Sequence, residues 1–162
     1  MLKSKFTALQ MEEMSAEKFI EQIEEWTKEF CGEIATVMGR YYSMDRDHNW
    51  DRTQKAYEAM AEGEGFKFSD PREPLEETYQ DGDYDYFVVP SVEESFDGIE
   101  SEDQLIFYNF RADRERQIAE AFLKNEFDKF ENKIKPDFSS MFSYRKDFEN
   151  PVLFEKQIVE NT

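Results

Sequence analysis

The sequence predicts an α/β fold, a layered sheet flanked by helices. Two short apolar runs, at residues 34–38 and 105–108, lack polar alternation and read as strands covered on both faces. Three other stretches place apolar residues at helical spacing, giving the order helix, strand, helix, strand, helix. Residues 1–14 read as a leader, 15–150 as the domain and 151–162 as a terminal segment.

Each element has a local reason. In the leader, Thr7 and Gln10 have capping-box spacing, which suits a short helical turn. From Ser15, an N-cap candidate, Phe19, Ile20, Ile23, Trp26 and Phe30 recur along one face, while Glu17, Glu21, Glu24, Glu25, Lys28 and Glu29 take the other. Gly32 ends that helix, and Gly39 punctuates the strand after it. Residues 51–61 form a second helix with Trp50, Tyr57 and Met60 on one side, broken by Glu62-Gly63-Glu64-Gly65. Residues 67–86, rich in Asp, Glu, Pro and Gly, read as turns with one short helix near 75–79. Residues 87–90 read as a brief strand stopped by Pro90, and 91–103 as an acidic surface loop or hairpin. The strand at 105–108 leads into a helix at 113–123 with Ile118, Ala119 and Phe122 inward. Phe127, Phe130, Phe138, Met141 and Phe142 fall in an irregular charged segment, read as core or interface, and a last apolar run occupies 151–154.

Composition narrows the function. The chain of 162 residues carries 20 Lys+Arg against 38 Asp+Glu, a formal charge of −18. Its length suits one domain, and 16 Phe, 8 Tyr and 2 Trp supply bulky side chains for a core. The acidic excess disfavours nucleic-acid backbones and anionic membranes, which need clustered Lys and Arg, yet it leaves room for a local cationic cluster. Cys31, the single cysteine, excludes an internal disulfide framework and a Cys-rich zinc site, and reads as a packing group. His48, the single histidine, excludes a multi-imidazole metal centre within one chain and reads as a surface or hydrogen-bonded residue. Without a long apolar span or a secretory h-region, the expected location is cytoplasmic.

The informative residues follow the two apolar strands. In open α/β sheets, ligands bind beyond the carboxyl ends of strands, and both strands deliver arginines there. After the first comes Gly39-Arg40-Tyr41-Tyr42-Ser43-Met44-Asp45-Arg46-Asp47, and after the second Asn109-Phe110-Arg111-Ala112-Asp113-Arg114. Arg111 and Arg114 are three apart across a helix start, beside free backbone N–H groups, which suits an anion. Guanidinium forks match phosphate and carboxylate oxygens and stay charged when buried. Asp45, Asp47 and Asp113 are placed to hold these forks, with Asn109 as a supporting residue. Two readings compete: the Arg and Asp side chains form structural ion pairs, or they form a ligand site. Tyr41 and Tyr42 suit core packing or stacking on a ligand.

The run from Gly39 to Asp47, continued by Trp50, Asp51 and Arg52, resembles that of cofactor-independent phosphoglycerate mutase, a metal-dependent family of the alkaline phosphatase superfamily. Asn109-Phe110-Arg111-Ala112-Asp113-Arg114, followed by Gln117-Ile118, resembles the family's second arginine motif. Asp97-Gly98, Asp103 and Tyr86-Phe87-Val88-Val89-Pro90-Ser91-Val92 keep the family's order between them. Asn150-Pro151-Val152-Leu153-Phe154 and the residues to Thr162 resemble the approach to the family's interdomain hinge, so the similarity runs over about residues 15–162.

In that family one domain holds two manganese ions and a nucleophilic serine, and a phosphotransferase domain grips phosphoglycerate. The resemblance covers the later half of the phosphotransferase domain and implies substrate-binding roles for Arg40, Arg46, Arg111 and Arg114. No counterpart of the nucleophile or metal-ligand segments is found, so the expectation is a non-catalytic domain without manganese. It would bind, sense or sequester a small phosphorylated ligand. The alternative is an interaction module, a split or decoy subunit pairing with itself or with a full-length phosphoglycerate mutase. Removing the leading strands of a layered domain uncovers sheet edge, which predicts a homo-oligomer, most simply a two-fold dimer.

Overall fold

A computed structural model describes residues 14–154 and shows a mixed α/β protein with two small sheets rather than one. In chain order the elements are α1 (Ala16–Phe30), β1 (Thr36–Val37), α2 (Arg40–Ser43), α3 (Trp50–Ala61), β2 (Phe66–Phe68) and α4 (Glu73–Gln80). A 3-10 turn (Asp85–Phe87) follows, then β3 (Ser91–Glu93), β4 (Gln104–Phe107), α5 (Ala112–Leu123) and β5 (Asp137–Ser140). The capping-box turn expected at Thr7 and Gln10 and the residues after Phe154 lie outside the described residues.

The first sheet has the order β1-β3-β2, with β1 antiparallel and β2 parallel to β3; the second pairs β4 and β5 in parallel. Parallel neighbours need a crossover, and helices supply it in β2–α4–β3 and β4–α5–β5. Leu105, Phe107 and Phe138 turn inward from the second sheet onto α5 and α3. Tyr57 of α3 is fully buried between the Phe122 and Phe130 rings, centroids 4.8 and 5.4 Å away, and its hydroxyl donates to the Ile134 carbonyl at 3.2 Å. A second, smaller core joins Ile20 to Leu75 and Val88.

Several sequence expectations are corrected. The run 34–38 yields only a two-residue edge strand, half-buried rather than covered on both faces. Residues 87–90 are not a strand: the 3-10 turn takes Phe87, and pairing begins after Pro90, which has no N–H to offer a ladder. The loop expected at 91–103 therefore opens with β3, the central strand, whose Ser91 and Val92 are buried. The strand Phe66–Phe68 arises where turns were expected, because β3 supplies its pairing partner.

On α1 only Ile20 of the apolar face is buried, while Trp26 and Phe30 remain 47% and 74% exposed, since the smaller core meets the helix in its first turns, at Ala16 and Ile20. Ser15 does occupy the N-cap position, but its hydroxyl caps nothing; the Asp85 carboxylate accepts from the Ser15 and Ala16 N–H groups at 2.9 and 3.0 Å. Cys31 is not a packing group: it is exposed and closes α1 in the left-handed conformation at φ 54°. Among the described residues no helix is long and apolar enough to cross a membrane.

Candidate functional site

The segments that follow β1 and β4 meet, although the strands lie in different sheets. Gly39 makes the first turn possible. Its N–H donates to the Val88 carbonyl at 2.8 Å, and a Cβ there would stand 2.3 Å from the Tyr86 carbonyl oxygen and 2.7 Å from the Val88 nitrogen. Arg40 opens α2 from this close approach, with its guanidinium 5.8 Å from the Tyr86 ring centroid. Tyr86 in turn packs edge-on against Tyr41 and Phe87, so an aromatic cluster backs the arginine. Tyr41 and Tyr42 meet edge-on at 5.0 Å and are half-buried, with Tyr42 packed against the main core.

The loop after α2 is held by buried hydrogen bonds. Asp45, 6% exposed, accepts from the Asp47 and Asn49 backbone N–H groups at 3.1 and 2.9 Å and from Asn49 Nδ2 at 2.9 Å. Burial pushes its carboxyl pKa up, but the hydrogen bonds from Asn49, Gln117 and Asp47 outweigh that and hold it below the usual range. Gln117 of α5 donates to Asp45 Oδ1 at 3.0 Å and Thr53 Oγ1 at 2.6 Å, and accepts from the His48 N–H at 3.0 Å. Backbone bonds of this kind let His48 sit at φ 62° with its side chain at the surface, as expected.

Asp113 brings two of the four arginines together. Arg46 Nη1 donates to its Oδ2 at 2.7 Å, while Arg111 Nη2 and Nε approach its two oxygens at 3.3 and 3.4 Å. Burial raises the Asp113 pKa, and the hydrogen bonds and charges of Arg46 and Arg111 reverse this, leaving it below the usual carboxylate range. Arg114 lies one turn into α5, with Nη1 donating to the Met44 carbonyl at 3.2 Å. Burial and the like charge of Arg114 lower the Arg40 pKa, Tyr86 opposes them, and the charges of Arg111 and Arg46 add to the lowering. All four guanidinium groups therefore share one field. Among the described residues, Arg40 Nε and Arg114 Nε are buried without a hydrogen-bond partner.

Of the carboxylates expected to hold the forks, Asp113 does so. Asp45 does not touch the four arginines; it pairs with Arg52 at 3.4 Å and stiffens the loop, because its oxygens already face the loop N–H groups. Asp47 joins that network through its backbone N–H, and the Asn109 carbonyl accepts from the Tyr144 hydroxyl at 3.0 Å. Sequence reasoning gave no role to Gln117, Tyr86 or Arg52, the last stacked 3.9 Å over the Tyr41 ring centroid. Spacing offered one signal: Gln117 lies three residues past Arg114, on the next turn of α5. No side chain caps the N-terminus of α5.

The sequence holds one histidine, and no three His, Cys, Asp or Glu side chains come together for a metal among the described residues.

Residues 10–146 match the family model described as BPG-independent PGAM N-terminus. A 2,3-bisphosphoglycerate-independent phosphoglycerate mutase of Salinibacter ruber is 40% identical over 156 aligned positions, covering 89% of this chain and 30% of that protein. A crystal structure of Leishmania mexicana phosphoglycerate mutase at low cobalt concentration is similar over 90% of this chain and 30% of its own, with a TM-score of 0.82 at 24% identity. The chain thus spans about 30% of the length of these relatives.

Proposed function

The chain belongs to the BPG-independent phosphoglycerate mutase family, and from that premise we propose that its arginine cluster binds a small phosphorylated anion, without catalysis by this chain alone. The observation that carries this reading is the excess of guanidinium donors over acceptors. Arg40 stands in the field of Arg114, Arg111 and Arg46, and the Nε atoms of Arg40 and Arg114 are buried without partners. Like charges gathered this way repel one another, and a phosphate supplies both the missing acceptors and the neutralising charge. The net charge of −18 repels diffuse anions, so a local cationic cluster is the feature suited to select one.

Thermal denaturation with 3-phosphoglycerate, 2-phosphoglycerate and nucleotides tests the reading. A ligand at one hundred times its dissociation constant stabilises by about 2.7 kcal/mol. For a domain of this size that is a rise of about 5–10 °C in Tm. Replacing Arg111 and Arg114 together should abolish the shift. An unchanged Tm for the wild type at millimolar concentrations of each ligand would remove the reading.

A second reading, an interaction module, is favoured by a row of aromatic side chains beside Arg111. Phe110 is 73% exposed and lies 5.4 Å from the Phe142 ring, which lies 6.1 Å from that of Phe154. Contiguous exposed apolar surface of this kind is a common docking feature. The partner would be a second copy of the chain or a full-length phosphoglycerate mutase. Native mass spectrometry at micromolar concentration tests it: a strict monomer that also fails to capture the mutase would remove this reading.

A further inference from the structure

Asp113 divides the arginine cluster into two unequal halves. Its carboxylate contacts Arg46 Nη1 at 2.7 Å and Arg111 Nη2 at 3.3 Å, so two of the four guanidinium groups already hold an anion supplied by the chain itself. Arg40 and Arg114 are different: each has a buried Nε without an acceptor. Asp45, the buried carboxylate of the loop that carries Arg46, is committed to Asn49, Gln117 and Arg52.

Resting on the ligand-binding reading above, we infer that Asp113 is an internal counter-anion that competes with the incoming ligand for Arg46 and Arg111, and thereby selects dianionic phosphate esters over monocarboxylates. The chemistry follows from tethering. A free monocarboxylate offers Arg46 and Arg111 the same charge and the same two oxygens as Asp113. The tethered group acts at an effective concentration of roughly millimolar or above, so the free one does not displace it. A phosphate dianion carries about twice the charge and a third acceptor oxygen, enough to engage Arg40 and Arg114 while it displaces Asp113. Displacement is inexpensive because the contact is solvent-screened, with the Arg46, Arg111 and Asp113 side chains 44%, 65% and 36% exposed. Once released, Asp113 remains in the first turn of α5, where a carboxylate faces the positive end of the helix dipole.

The sign of one substitution decides between competition and support. Calorimetric titration of the wild type, Asp113→Asn and Asp113→Ser with inorganic phosphate, 3-phosphoglycerate and acetate is the experiment, with circular dichroism to confirm folding. Competition predicts about tenfold tighter phosphate binding in both variants and acetate binding that the wild type lacks. Phosphate binding by the variants alone would overturn it, because the inference requires phosphate to displace the native carboxylate. Weaker or unchanged phosphate binding in the folded variants, beside a wild type that binds, would overturn the inference and leave the ligand-binding reading standing. Silence of all three proteins toward every probe would overturn both.

Discussion

The Gln117 side-chain amide donates to Asp45 Oδ1 at 3.0 Å, joining α5 to the loop that carries Arg46 across 72 residues of sequence. The same amide donates to Thr53 and accepts from the His48 N–H, so three bonds converge on one buried group. Leucine at this position keeps the volume and loses all three, leaving polar atoms of Thr53 and His48 short of a partner. Gln117→Leu should therefore cost about 2–3 kcal/mol in urea denaturation, the range for buried hydrogen bonds that include a charged acceptor. Gln117→Glu should cost more at neutral pH, because it sets a second carboxylate against Asp45, and should recover on acidification. A loss below about 0.5 kcal/mol for the leucine variant would show that the loop is held by other contacts.

Acid stability follows from two opposing effects. Lowering the pH from 7 toward the isoelectric point near 4.4 removes the self-repulsion of a chain charged −18, which favours the folded state. Asp45 acts the other way. Its folded pKa lies below the ordinary 3.8, so the stability it contributes is complete above that value and is lost as pH falls through the folded value. Asp113 behaves likewise. Urea midpoints measured from pH 7 to 3 should hold or rise toward the isoelectric point and fall steeply below it. Asp45→Asn should flatten the acid limb; a limb as steep as that of the wild type would remove Asp45 as its cause.

Gly39 permits the backbone approach that places Arg40. Its φ is −72°, which any residue adopts, so the requirement is space alone. A Cβ 2.3 Å from the Tyr86 carbonyl oxygen must push the 3-10 turn away from β1. Gly39→Ala should cost about 1–3 kcal/mol in thermal or urea denaturation. It should also weaken phosphate binding, since Tyr86 backs Arg40.

The sequence made α3 and α5 legible because both helices bury a periodic apolar face, with Tyr57, Met60, Ile118 and Phe122 inward. It also placed Arg111, Asp113 and Arg114 at a helix start, because α5 begins where the apolar strand β4 stops. What it hid was set by partners distant in the chain. The strand Phe66–Phe68 exists because β3 pairs with it, and β3 sits where acidic residues and Pro90 suggest a loop. The sequence suggests Asp45 as a partner for the four cluster arginines, but its oxygens face Asn49, Gln117 and Arg52, and the role of Gln117 appears only once α5 packs over the loop. Local periodicity reports which face is buried, not which polar groups meet across it.

The cap on α1 is of this long-range kind and yields the sharpest test of local stability. Asp85 lies 69 residues beyond Ala16, yet its carboxylate accepts both the Ser15 and Ala16 N–H groups, and the Tyr79 hydroxyl donates to its other oxygen. Among the described residues, Ile20 is the helix's one buried apolar side chain, and Arg72 pairs with Glu24 at 2.5 Å from outside. Losing an N-cap costs about 0.5–2 kcal/mol. With so little buried area behind it, α1 should open before the rest of the fold. Asp85→Ala should therefore speed amide hydrogen exchange through residues 16–30 by about 2–30-fold, the same range in rate, while α3 and α5 keep their protection. Asp85→Asn, which retains an acceptor oxygen, should fall between the two. Equal acceleration in α1 and α5 would mean that Asp85 holds the whole domain rather than one helix.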